Sequence, residues 1–180
     1  LEGGRLATDH LISLGHRRIG LIRRHPTRAM SWQRHDGYRL ALEDAGIAYN
    51  SSLVVHCGSS HAEGYAAMQQ LLALAERPTA VFVHNDILAM GAMRAMYDEG
   101  LAVPGDVSLV GYDDIASAAY LSPPLTTVRI PKVEMGALAG RTIMELAQGE
   151  LELVPELEPR TITLSVELVV RSSTAVPRAA

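Results

Sequence analysis

The sequence predicts an α/β fold, a doubly wound and mainly parallel sheet with helices on both faces. Segments of helical and of strand periodicity alternate along most of the chain. The strand segments are continuously apolar, as strands covered on both faces must be. Helical segments stop at glycines, Gly15, Gly46 and Gly100. Strand, helix, strand in this order is the βαβ unit, whose crossovers are right-handed.

Gly3 to Leu14 carries Ala7, Leu11 and Leu14 on one helical face and ends at Gly15. Ile19 to Ile22 is a short apolar strand. Ser31 to Ala45 is a helix with Tyr38, Leu42 and Ala45 on one side, and Leu53 to His56 is the next strand. Ser60 and Glu63 have the spacing of a capping box, which opens a helix reaching about Ala75. Ala80 to His84 is a strand, Asp86 to Glu99 a helix, and Val107 to Tyr112 another buried strand. Pro123 and Pro124 interrupt the pattern, Thr126 to Ile130 is extended, and Pro131 to Gln148 is a long helix with proline in its first turn. The acidic stretch Glu150 to Glu158 reads as a loop, and Arg160 to Leu164 and Glu167 to Val170 read as strands.

Composition narrows the class. The chain has 180 residues, 48% hydrophobic and 20% charged, which is globular and neither disordered nor coiled-coil. Folding a chain of this length removes roughly 70% of the unfolded surface from water, enough for one ordinary domain or two thin ones. No apolar run approaches the roughly 18 residues of a membrane span, so no membrane partner is expected. The single cysteine, Cys57, forms neither an internal disulfide nor a cysteine zinc site and fits a reducing cytoplasm. The chain opens at Leu1 rather than at methionine, so a longer protein is expected around it. Net charge is −4, unevenly spread: residues 1 to 39 hold eight of the sixteen basic and three of the twenty acidic residues, +5 against −9 for the remainder. Arg17, Arg18, Arg23, Arg24 and Arg28 suggest a nucleic-acid arm, but apolar Ile19 to Ile22 interrupts them, and a solvated strand flank is the commoner cause of such a cluster.

In an open parallel sheet, ligands bind beyond the carboxyl ends of the strands. Two polar pairs stand there, Asn85 with Asp86 and Asp113 with Asp114. One member of each pair can cap the following helix. The other is then available to a ligand: Asn85 offers donor and acceptor, and Asp113 two acceptor oxygens suited to sugar hydroxyls or ring nitrogens. Arg34 lies early in a helix, where a cation opposes the macrodipole, and so calls for a partner outside it. Trp32 could stack on a sugar face, or simply be a half-buried aromatic beside an exposed arginine. Ser59 is a further candidate on the same rim.

Enzyme signatures are missing. There is no G-x-G-x-x-G after a strand, no phosphate-binding loop, no G-x-S-x-G elbow and no H-E-x-x-H. No catalytic residue, metal site or cofactor is therefore expected. Met68, Met90, Met93 and Met96 read as core or interface filler.

The ordered series Gly3 to Gly20, Arg34 to Tyr38 (R-H-D-G-Y), Ser60 to Met68, Arg77 to Asp86 (R-P-T-A-V-F-V-H-N-D), Val103 to Asp114 (V-P-G-D-V-S-L-V-G-Y-D-D) and Pro123 to Val128 resembles the effector-binding region of lactose-repressor and galactose-repressor type transcriptional regulators. The resemblance runs from Gly3 to about Arg171. It implies a type I periplasmic-binding-protein-like core of two lobes, with a small-molecule effector, a sugar or related metabolite, closed between them. It also implies a cytoplasmic homodimer and operator contact through a helix-turn-helix headpiece that this stretch lacks. By that resemblance Arg34, Asn85 and Asp113 contact the effector, with Trp32 and Ser59 as ligand-dependent positions, and Ile87, Met90, Arg94, Tyr120 and Leu121 form the dimer contact.

The expected division assigns 15-125 and 158-172 to the C-terminal lobe, and 1-14 and 131-150 to a largely missing N-terminal lobe. Gly3 to Leu14 and Pro131 to Gln148 should then each leave one apolar face bare. A transporter's solute-binding protein shares the lobes and is the alternative; a sugar-modifying enzyme is disfavoured by the absent motifs.

Overall fold

The computed structural model describes residues 1–25, 29–148 and 161–178, with backbone alone for 29–31. It has two compact units, Leu1–Arg129 with Glu167–Ala180, and Ile130–Val166. The first unit holds one six-stranded sheet in the order β2-β1-β3-β4-β5-β6. Its strands are β1 (Ile19–Arg24), β2 (Val54–Cys57), β3 (Ala80–Val83), β4 (Ser108–Asp113), β5 (Thr126–Arg129) and β6 (Glu167–Val169). The first five run parallel and β6 pairs antiparallel to β5. The order reverses at β1, which puts the topological switch point between β1 and β3 and a crevice at their carboxyl ends.

Two helix pairs cover the sheet: α1 (Glu2–Ser13) with α2 (Ala29–Asp44), and α3 (His61–Leu72) with α4 (Asp86–Asp98). Each pair crosses at glycines that let backbones touch. A Cβ on Gly4 would lie 2.2 Å from the Arg34 carbonyl oxygen, and one on Gly64 2.2 Å from that of Leu88. The core beneath α3 and α4 contains Ile22, Met68, Leu71, Val81, Val83, Leu88, Met96, Leu109 and Leu125. On the opposite side, buried Tyr38 donates its hydroxyl to the Ile19 carbonyl at 2.8 Å. The capping box forms as expected: Ser60 accepts from the Glu63 amide while Glu63 accepts from the Ser60 amide.

Several expectations are corrected. Residues 1–14 do not present a bare apolar face: Gly3, Gly4, Ala7, Thr8 and Leu11 of α1 are buried within the first unit, because the two small residues at its start bring it against α2. That unit also runs past 125 to Arg129 and past 172. Ser173 is anchored by its hydroxyl, which accepts from the Thr126 amide at 2.8 Å and donates to the Leu109 carbonyl at 2.6 Å. Buried His16 then holds the Ala175 carbonyl at 2.9 Å. The chain at Ser51–Leu53 turns in a 3-10 helix capped by Asn50, which delays β2 to Val54. α3 ends at Leu72, short of Ala75. Residues 161–164 have no strand pairing, while Arg160 and the acidic stretch Glu150 to Glu158 lie outside the described residues.

The second unit is carried by α5 (Lys132–Ala147), which has no buried residue. Val133, Ile143 and Met144 are 87%, 64% and 57% exposed, so this amphipathic helix does show an apolar face.

Candidate functional site

The candidate site lies at the carboxyl edge of the sheet in the first unit. α2 enters above this edge and carries Arg34 on its second turn. The Arg34 guanidinium donates from Nη1 to the His84 carbonyl at 2.5 Å, its Nη2 lies 3.6 Å from Asp113 Oδ1, and its Cζ sits 3.7 Å from the centre of the Tyr112 ring. The arginine is thus fixed from β3, β4 and an aromatic face at once, with its planar fork immobilised. This supplies the partner outside the helix that its position called for.

The two polar pairs divide their work. Asn85 caps α4, its Oδ1 accepting from the Leu88 amide at 3.0 Å. Asp86 is fully buried; its Oδ1 accepts from Thr127 Oγ1 at 2.6 Å and its Oδ2 from the Ile115 amide at 2.9 Å, tying α4 to β5 and to the turn after β4. Burial pushes its carboxyl pKa up against these hydrogen bonds. Gly111 is required beside it, since a Cβ there would lie 2.3 Å from Asp86 Oδ1.

Asp114 is bridged by Arg129 and Arg171, both at 2.6 Å, with its side chain only 9% exposed. Burial pulls its pKa up, but the hydrogen bonds from the two arginines outweigh that and hold it below the usual carboxylate range. Asp113 keeps a side chain 28% exposed beside Arg34 and sits at a backbone φ of +104°. That backbone conformation is uncommon and strained in a non-glycine residue.

Trp32 is 49% exposed, with the Arg23 guanidinium carbon 4.9 Å from its ring centre. Ser59 is exposed at the end of β2, and its amide donates to Glu63 Oε2 at 2.8 Å. Arg34, Asp113 and Asn85 therefore lie on one edge, with Trp32 on α2 and Ser59 beyond β2. The sequence reading missed Tyr112, whose aromatic position directly before Asp113 was the available signal, and buried His84. Burial, then Arg34, Arg24 and Arg23, push the His84 imidazole down to about 3, so it is neutral. His25 and His56 stack at 5.9 Å across the ends of β1 and β2. No cluster of three metal-ligating side chains occurs among the described residues. No helix among them is long and apolar enough to cross a membrane.

Along α4, Ile87 and Met90 are half-buried, Arg94 is exposed and Tyr97 is 75% exposed, while after β4 Tyr120 is 88% exposed and half-buried Leu121 packs against the core. Met90 accepts a weak hydrogen bond from Ser117 at 3.9 Å.

Fold and candidate site together define an α/β lobe with candidate polar groups along the carboxyl edge of a mainly parallel sheet. The chain belongs to the periplasmic binding protein-like domain family, which it matches over residues 8–174, in the form carried by lactose-repressor and galactose-repressor type regulators. It is 41% identical over 171 residues to the ribose operon repressor of Haemophilus influenzae, covering 95% of this chain and 50% of the relative. It is also 41% identical to the HTH-type transcriptional repressor PurR of Yersinia pestis, covering 97% of this chain and 50% of that one. Among solved structures, a complex of the transcriptional regulator CelR with cellobiose superposes with a TM-score of 0.88 at 38% identity, covering 95% of this chain and 51% of that chain. The chain spans about half the length of the curated relatives it matches. The family resemblance and the fold read from the motifs are thereby confirmed.

Proposed function

We propose that this chain is the effector-sensing and dimerising lobe of a bacterial transcriptional regulator, and that its effector is a sugar or related small metabolite. The observation that carries the reading is the convergence of Arg34 and Asp113 at the carboxyl edge, with the arginine clamped on Tyr112. In this reading Asp113 accepts from ligand hydroxyls, Arg34 donates to ligand oxygens, and the amide group of Asn85 adds a donor. Trp32 and Ser59 line the rim. The role is binding, with no bond made or broken, which agrees with relatives named as repressors.

The exposed aromatic face around Ile87, Met90, Arg94, Tyr120 and Leu121 supports a homodimer contact. The bare face of α5 supports its assignment to the second lobe of the effector core, with operator DNA contacted through a headpiece elsewhere in a cytoplasmic protein. Effector binding would favour one interlobe angle, and can shift that equilibrium only by its differential affinity for the two states. The test is calorimetry of the full-length protein against a sugar panel, paired with operator binding with and without each ligand. A ligand that binds and changes operator affinity supports the reading. Ligand binding without any operator binding points to a solute-binding protein.

A further inference from the structure

Three side chains stand in one row at the carboxyl edge of the sheet. Ile22 of β1 pairs with Val83 of β3, and the His84 amide donates to the Ile22 carbonyl at 2.8 Å, which sets His84 level with Arg23. Phe82 pairs with Val110, so His84 also stands level with Tyr112 of β4. Side chains alternate along a strand, so Arg23, His84 and Tyr112 share one face of the sheet, with about 4.8 Å between neighbouring strands. α2 covers the two outer members: the Trp32 ring centre lies 4.9 Å from the Arg23 guanidinium carbon, and the Arg34 guanidinium carbon 3.7 Å from the Tyr112 ring centre. His84 lies between these two stacks, at the switch point of the strand order, and its carbonyl already holds Arg34.

Buried His16 shows what the fold normally supplies to such a ring, with Thr79 Oγ1 on one nitrogen and the Ala175 carbonyl on the other, both at 2.9 Å. His84 is 7% exposed, yet among the described residues no hydrogen bond reaches its ring. Nor do its nitrogens belong to the polar side-chain atoms sealed from solvent without a partner, so the polar edge of the ring stays open to water. Burial and the neighbouring arginines keep it neutral, with one N–H donor and one bare nitrogen as acceptor. A hydroxyl both gives and takes a hydrogen bond, and so suits this ring in either tautomer. Resting on the effector-cleft reading above, we propose that His84 is a specificity-determining contact of the cleft, its imidazole exchanging a hydrogen bond with one hydroxyl of the bound sugar beside the groups taken by Arg34 and Asp113. A ligand lacking that hydroxyl would displace the water and strand a buried polar group, and a site of this kind therefore selects against it.

Full-length protein is titrated by calorimetry with ribose, glucose and galactose, and the tightest binder is then compared with its monodeoxy analogues. In the wild type, one analogue should bind about tenfold or more weakly than the parent sugar. His84→Phe keeps a ring of similar size without either nitrogen; it should lose affinity for the parent by a similar factor and no longer distinguish that analogue from it, a cycle that isolates the single contact. His84→Gln keeps a donor and an acceptor and should recover part of the preference. Urea midpoints separate a folding fault from a lost contact. In wild-type protein carrying isotope-labelled histidine, the parent sugar should also move the His84 ring-nitrogen resonances, which needs no altered binding site. Ring resonances that stay in place, wild-type affinity in His84→Phe, or losses that simply add for every analogue overturn the assignment. If affinity still falls on Asp113→Asn, the effector-cleft reading stands without His84. No saturable binding of any of the three sugars overturns both.

Discussion

Asp113 and Asp114 are adjacent, chemically identical and both at positive φ, +104° and +48°, yet they serve opposite ends. Asp114 turns inward, where Arg129 and Arg171 hold it at 2.6 Å each and join the ends of β4, β5 and the strand after α5. Asp113 lies 3.6 Å from an arginine that is itself fixed by His84 and Tyr112. One carboxylate is saturated by the fold and the other is held by it. The pair before α4 differs from this one, since both members serve the fold: Asn85 Oδ1 caps α4 and Asp86 is buried and doubly hydrogen-bonded.

The largest expected effect that sharpens this contrast is on stability. Asp114→Ala leaves two guanidiniums without their shared partner, and should cost about 3 kcal/mol, discounted from the fully buried case because Arg129 is half exposed. Urea unfolding measures it, and a loss under 1 kcal/mol would place Asp114 with the surface ion pairs. Next is Arg34→Lys, which keeps the charge but gives up the fork and the Tyr112 stack; effector affinity should fall about tenfold while folding stability stays close to wild type.

Acid should act on the structural aspartate in a defined window. A carboxyl held below its usual range contributes stability that is complete above about pH 4 and disappears as pH falls through the folded value, so the wild-type advantage over Asp114→Ala should shrink below about pH 4. A separate loss begins earlier. His84 and His35, lowered to about 3 and about 4, are neutral in the fold and protonate first in the unfolded chain, so stability should decline as pH falls from about 6.5. Unfolding curves at pH 7, 5 and 3.5 distinguish the two. The smallest effect is Asp113→Gly, which relieves the positive φ and should change stability by no more than about 1 kcal/mol, in the stabilising direction, while weakening ligand binding.

The strands and helices were legible because continuous apolar runs and glycine stops are local signals, and so were the placement of Asn85 and Asp113 at strand ends and the need of Arg34 for a partner outside its helix. What α1 packs against was not legible. Its apolar face, like that of α5, announces burial without naming a partner, and only the backbone contact at Gly4 shows that α2 covers it. Nor did the sequence show what Asp114 bonds to, because its partners Arg129 and Arg171 stand 15 and 57 residues further along the chain. Tyr112 read as one more apolar strand residue, although its ring forms the platform for Arg34.

The contrast to test is Asp113 as a ligand contact against Asp114 as a contact of the fold. Calorimetric titration of full-length wild-type, Asp113→Asn and Asp114→Asn proteins with the tightest-binding sugar of the panel, alongside their urea midpoints, tests this directly. Asp113→Asn should lose about tenfold or more in affinity with its midpoint unchanged, and Asp114→Asn should show a lowered midpoint. Unchanged affinity in Asp113→Asn would contradict the site.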